Sequence, residues 1–239
     1  MGKSTRSLMF CAAGLALACV FGCLVGCGAS GVATVRTIQL SPGTASVDAF
    51  ASDTLIASAV PYGSASTYAQ ISTGSHTVSI SPAGQDKTTL FKQVVDFFTN
   101  TNSTVIVVNP ATSISEYVLT DDNAEPDTGD FSLRVVHASP SAGVVDVYVT
   151  APSTDITNVL PTFRNMSYQT FNGYLELPGG SYETTFTIAG TKTILANTAA
   201  VTYAVGNVST VALADAPTGG APYQAYDYVD ATWSNNAGQ

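Results

Sequence analysis

Two halves of this chain repeat each other in order. Arg36 through Pro42 aligns with Arg134 through Pro140, and Val47-Asp48-Ala49-Phe50 with Val145-Asp146-Val147-Tyr148, both at an offset of 98 residues. From Tyr62 onward the offset is 106, matching Tyr62 with Tyr168, Tyr68 with Tyr174, Gly74-Ser75 with Gly180-Ser181, Ala83-Gly84 with Ala189-Gly190, and Ser103-Thr104-Val105 with Ser209-Thr210-Val211. One insertion of eight residues, near Ala151 to Asn158, accounts for the change. A chain with this register folds one unit twice. The units are joined by Asp121 to Asp130, a polar, acidic, turn-forming segment that reads as a solvated hinge.

Within each unit the apolar residues come in short runs. Val145-Asp146-Val147-Tyr148-Val149 places its valines on one face and Asp146 with Tyr148 on the other, as a half-buried strand requires. Gly74 to Ile80 and Gly180 to Phe186 read as strands entered through a glycine turn, and Thr104 to Val108 and Thr210 to Leu213 as further strands rich in β-branched residues. Lys92 to Phe98 is the segment that could form a turn or two of helix. Short strands punctuated by Gly, Pro, Ser and Asn predict an all-β fold of two tandem β-sandwiches.

The N-terminus carries a second signal. Lys3 and Arg6 precede an apolar stretch from Leu8, which closes on Leu24-Val25-Gly26-Cys27. This is the layout of a bacterial lipoprotein signal peptide over 1–26, cut before Cys27, with the cysteine acylated and the chain held at a membrane from outside the cytoplasm. Cys23, behind the bulky Phe21, is the weaker competing site, and an uncleaved apolar helix is the other reading of the stretch. Gly28 after the cysteine favours the outer membrane if the envelope is Gram-negative. The resulting boundaries are a tether at 27–32, a first sandwich at 33–121, a linker at 122–130, a second sandwich at 131–230 and a polar tail at 231–239.

Cleavage at Cys27 leaves six Lys and Arg against 17 Asp and Glu, a formal charge of −11, the wrong sign for a nucleic-acid partner. All four cysteines lie at or before Cys27, so the body has none for a disulfide, a thiolate nucleophile or a thiolate metal site.

Three ordered motifs carry a family resemblance. Arg134-Val135-Val136-His137-Ala138-Ser139-Pro140, then Val145 to Val149, then Tyr174-Leu175-Glu176-Leu177-Pro178-Gly179-Gly180-Ser181-Tyr182 resemble the bacterial DUF4397 family of secreted and lipid-anchored proteins. The second unit is the closer match and the first a diverged one, with Leu40 in place of Ala138 and His76 in place of Tyr182. The resemblance spans roughly residues 33 to 230. It implies immunoglobulin-like sandwiches and supplies no established catalytic role.

Among polar residues, Arg36 with Asp48 and Arg134 with Asp146 recur in the first two predicted strands of each unit, which predicts structural ion pairs across neighbouring strands. His137 reads as a strand histidine bonding nearby backbone, although a zinc site could combine it with carboxylates. Ser139 lacks a recognisable nucleophile elbow, so a hydrolase is the remotest reading. In the joint, Asp121, Asn123 and Glu125 echo a hand-type calcium loop that Pro126 and Ser132 break; an irregular calcium site is the alternative to a plain hinge. Tyr223, Tyr226, Tyr228 and Trp233 near the C-terminus are candidate contacts for an envelope protein or a glycan, or the aromatics of a last strand packed inward. No catalytic residue, metal site or cofactor is indicated. The reading is a non-catalytic envelope lipoprotein with a structural or interaction role, with a carbohydrate-binding lipoprotein as the alternative.

Overall fold

A computed structural model describes residues 31–86 and 88–234; Cys27 and the leader lie outside them. The described chain is built of strands, apart from one 3-10 turn at Ile156–Asn158. The first unit contributes β1 (Val32–Gln39), β2 (Val47–Ala51), β3 (Thr54–Val60), β4 (Ser64–Ala65), β5 (Ala69–Ser72), β6 (Gly74–Pro82), β7 (Phe91–Phe97), β8 (Asn102–Val108) and β9 (Ser115–Asp121). The second contributes β10 (Asp130–His137), β11 (Val145–Thr150), β12 (Phe163–Met166), β13 (Leu175–Pro178), β14 (Gly180–Ile188), β15 (Ile194–Asn197), β16 (Val201–Tyr203), β17 (Asn207–Ala214) and β18 (Gln224–Thr232).

Each unit is a two-layered β-sandwich. In the first, one sheet runs β4-β1-β8-β9 with β5 also on β1, and the other runs β3-β2-β6-β7. The second unit repeats this as β13-β10-β17-β18 and β12-β11-β14-β15, with β16 also on β14. In both, the first strand lies parallel to the penultimate one, β1 on β8 and β10 on β17, and Arg36 opposite Thr104 matches Arg134 opposite Thr210. Lys92 to Phe98, the segment that could have formed a turn or two of helix, lies instead in strand β7 up to Phe97, paired along β6. Its residues alternate half-buried Phe91, Gln93 and Val95 with exposed Lys92, Val94 and Asp96, a period of two that outweighs any helical tendency.

Strand alternation builds three cores. Val35, Val47, Val78, Ile80, Val105 and Phe97 fill the first sandwich, and Phe131, Leu133, Val147, Phe186, Val211 and Tyr203 the second. The third core lies between the units, where the opposite faces of β1, β8, β10 and β17 meet: Ile38, Leu40, Ile106 and Leu119 pack with Val136, Ala138, Ala212 and Tyr228. The β1 and β10 sheets are therefore buried on both faces. This explains near-continuous burial along β1, β8, β10 and β17 in place of an alternating apolar and exposed pattern.

Candidate functional site

The polar residues that the sequence singles out meet at the interface between the units. Arg36 and Arg134 sit on β1 and β10 facing the opposite unit, 2% and 1% exposed. Each carries its charge to the last strand of the other unit. Arg36 Nη2 bonds the Asp230 carboxylate and Nη1 donates to the Val229 carbonyl at 3.0 Å. Arg134 Nη2 donates to Asp121 Oδ1 at 2.7 Å and Nη1 to the Thr120 carbonyl at 3.3 Å. The remaining carboxylate oxygens are filled from within each unit. Asp121 Oδ2 accepts from Tyr68 at 2.7 Å and Thr104 at 2.6 Å, and Asp230 Oδ2 from Tyr174 and Thr210, each at 2.6 Å. The same threonine hydroxyls accept from Arg36 Nε at 2.9 Å and Arg134 Nε at 3.1 Å. Each guanidinium also lies over a tyrosine ring, Arg36 over Tyr68 at 4.9 Å and Arg134 over Tyr174 at 4.8 Å.

A buried ion pair is sustained only when its further lone pairs and protons are satisfied, and here they are. Burial works against the Arg36 charge, but the Asp230 carboxylate, with Tyr68 and Asp121, outweighs it and raises the pKa. Burial, reinforced by the adjacent carboxylate, holds the Tyr68 and Tyr174 hydroxyls well above the usual phenol range, so they remain donors. A second symmetric pair flanks the first: Tyr62 donates to the Asp215 carbonyl at 2.6 Å, and Tyr168 to Asn109 Oδ1 at 2.7 Å.

These contacts correct the expected pairs. Arg36 does not meet Asp48, nor Arg134 Asp146, because consecutive strands β1 and β2, or β10 and β11, lie in different sheets of their sandwich. Asp48 instead accepts the backbone N–H groups of Ala59 and Gly84, both at 2.7 Å. Asp146 accepts those of Asn165 at 2.9 Å and Gly190 at 2.8 Å. Ala59 and Asn165 stand at φ 50° and 53°, where the β2–β3 and β11–β12 registers shift, so each carboxylate pins a bulge in a left-handed conformation. Asp121 is the end of β9 and 4% exposed, and so belongs to the buried lock rather than to a solvated hinge. Asn123, next in the joint, donates to the Tyr68 hydroxyl at 3.2 Å.

Two of the four C-terminal aromatics, Tyr226 and Tyr228, are absorbed by the same interface, and Tyr223 packs on the core of its own unit. Tyr228 is 7% exposed and donates to the Gly63 carbonyl; Tyr226 packs edge-on against Tyr62; Tyr223 donates to the Ser141 carbonyl. Trp233 is the exposed one, at 41%, with its indole N–H on the Asn123 carbonyl. They therefore form no open aromatic strip.

His137 clips the loop after β10. Its Nε2 lies 2.6 Å from the Gly143 carbonyl, which can only accept, so Nε2 carries the proton and Nδ1 accepts the Ser139 N–H at 3.3 Å. Burial holds the ring below its ordinary pKa. Gln39 does the same work in the first unit, accepting from Ser41 N–H and donating to the Ala45 carbonyl. Ser139 is fully buried and bonds the Asp215 carboxylate, which also accepts from Ser141 and Gly220. Among the described residues no group of three or more His, Cys, Asp or Glu is placed to hold a metal ion, and no helix is long and apolar enough to cross a membrane.

Outside the interface, a half-open cleft of about 310 Å³ lies over the outer face of β11, lined by Tyr148, Leu160, Arg164, Asn165 and Lys192 among others. Its wall is Val159, Leu160 and Pro161, which follow directly on the insertion that breaks the repeat. Asp155 caps the 3-10 turn by accepting the Thr157 N–H at 2.9 Å, and buried Ile156 anchors it. Lys192 then ties the wall down, with Nζ 2.5 Å from the Val159 carbonyl, 3.0 Å from the Tyr148 hydroxyl and 4.4 Å from the Tyr148 ring centre. The signals of this cleft legible by sequence are the insertion just before its wall and Lys192, which stands where the first unit has Asp86.

A domain of unknown function, DUF4397, is present over residues 33–148, from β1 into β11. No curated protein matches the chain. Similar solved structures include a streptococcal family 41 carbohydrate-binding module described for α-glucan recognition, 12% identical over 81% of this chain and 96% of its own, with a TM-score of 0.25. Another is a family 26 module from Eubacterium rectale Amy13K in complex with maltoheptaose, 9% identical over 84% of this chain and 97% of its own, with a TM-score of 0.26.

Proposed function

We propose that this chain is a non-catalytic module of the cell envelope, tethered by a lipid at Cys27, whose two immunoglobulin-like sandwiches are presented as one rigid body for a structural or protein-binding role. The observation that carries this reading is the buried lock. Among the described residues, a buried cluster of charge and hydroxyl groups, Arg36, Arg134, Asp121, Asp230, Tyr68 and Tyr174, is spent on holding the units together. The lipoprotein-like leader supports an extracytoplasmic address. Fractionation of cells fed a labelled fatty acid tests the tether: the wild-type chain takes the label and sediments with membrane, whereas C27A loses both. Photo-crosslinking on intact cells from exposed positions such as Val94 and Leu160 tests the binding role, with a discrete, reproducible protein adduct as the expected result. Label retained by C27A, or a chain that crosslinks to no envelope protein, would contradict the proposal.

A second reading, carbohydrate binding, is favoured by one feature, the cleft over β11 with its polar and cationic rim. Glycan-array binding that R164Q abolishes, and that substitution of Tyr226 or Trp233 leaves intact, is its expected signature.

A further inference from the structure

The six Lys and Arg that follow Cys27 stand against 17 acidic residues, so where the cations lie is informative. Five of the six fall in the described residues. Arg36 and Arg134 are consumed by the lock, leaving Lys92, Arg164 and Lys192, and two of these three line the same cleft. One carboxylate, Asp146, lines the cleft as well, but neither it nor Asp155 pairs with these cations by direct contact. Both oxygens of Asp146 accept backbone N–H groups, and Asp155 is engaged by Thr157. Arg164 is exposed and makes no hydrogen bond or ion pair among the described residues, so its planar fork of donors is available. Beside it, the exposed Asn165 side chain carries one amide donor and one acceptor group for neutral polar atoms.

The first unit provides an internal control. At the positions matching Tyr148, Arg164, Asn165 and Lys192 it has Phe50, Ser58, Ala59 and Asp86, and it lacks the insertion that leads into the wall at Val159 to Pro161. Wall, cations and amide thus change together in one copy of a repeat whose framework is otherwise kept. The cavity along β3 of the first unit is lined by Leu55 to Pro61 and Ala65 to Thr67, with no charged side chain. The Asp146 clamp does not require the Arg164 and Lys192 side chains, since the Asp48 clamp has the same geometry without them.

From this we propose that the cleft of the second unit binds the carboxylate of an acidic saccharide, with Arg164 as the bidentate donor, Lys192 as the second cation and Asn165 reading hydroxyl groups. The 310 Å³ volume suits a single sugar residue rather than a long chain buried along its length. The proposal rests on the carbohydrate reading above and makes it specific to charge.

Titration calorimetry on the mature chain, using methyl glucuronoside, neutral methyl glucoside and inorganic phosphate as probes, tests it. The expected result is saturable uronoside binding that weakens at least tenfold in R164Q and N165A, weakens with added salt, and is unchanged in D86A of the first unit. Because Lys192 also holds the wall, K192Q is paired with K192R, which keeps the charge and restores binding if charge is what matters. Uronoside binding that R164Q leaves intact, or phosphate binding as tight as the uronoside, would overturn the assignment. Absence of uronoside binding together with binding of neutral glycans would overturn the charge-specific proposal while leaving the broader carbohydrate reading standing.

Discussion

Arg134 carries a charge into the body of the fold at 1% exposure, and its worth depends on Asp121 being there to meet it. Removing one partner leaves the other charged and dry, so R134M or D121L alone is expected to lower unfolding stability by about 3–5 kcal/mol. The double variant R134M/D121L should recover a large part of that loss, and a denaturant-unfolding cycle reads the coupling directly. By the same measure R134M and D146A should be nearly additive, because they share no contact. Glu116 poses the opposite case, a buried carboxyl without a cation. It is 6% exposed and neither oxygen closes a hydrogen bond of good geometry; burial raises its pKa from 4.5 to about 8, with Gln93 offsetting only part. The folded chain therefore keeps a proton that the unfolded chain has released. Its contribution to stability is complete below the ordinary carboxyl range and is lost as pH rises through about 8. Thermal unfolding of E116Q should lack this decline and exceed wild type above pH 8 by an amount of the order of a few kcal/mol.

At the scale of elements, the bulge beside each Asp48-type carboxylate is the feature most open to test. Ala59 holds φ 50°, a conformation that costs a residue with a Cβ roughly 1–2 kcal/mol. A59G is expected to stabilise the chain by roughly 0.5–1 kcal/mol, whereas D48A, which strands two backbone N–H groups, should cost about 1–3 kcal/mol. Denaturant midpoints of the two variants check both signs. The strands themselves were largely legible, since period-two runs such as Val145 to Val149 and the glycine-entered Gly180 to Phe186 are local signals. Lys92 to Phe98 is ambiguous by sequence, and its period-two pattern becomes clear only beside β6. The importance of Arg36 and Arg134 was legible from their repetition, but their partners were not. Asp121 and Asp230 lie 109 residues apart, off both repeat offsets, and β18 carries a register shift between its pairings to Val208 and Ser209. By sequence alone Asp121 reads as part of the joint, and Asp230 carries no local signal that sets it apart. An exchange of arginines between units leaves no trace in local spacing, because each pair is formed by the approach of two already folded faces.

For the whole molecule, the duplication has become an assembly of the unit with itself. The faces that meet are equivalent, apolar at Ile38 and Val136 and polar at Arg36 and Arg134, so the chain contains the self-complementary contact expected of a two-fold dimer within one polypeptide. Such an interface fixes the relative placement of the sandwiches even though Asp122 to Gly129 form no strand. The cysteine-free body makes this directly measurable. Spin labels at D53C in the first unit and T154C in the second, both exposed loop positions, report the inter-unit distance by double electron–electron resonance in a chain that begins after Cys27. A single narrow distance distribution, broadened when Arg36 and Arg134 are both replaced by methionine in a chain whose sandwiches remain folded, is the predicted result. A broad distribution in the otherwise native chain would contradict the lock on which the account rests.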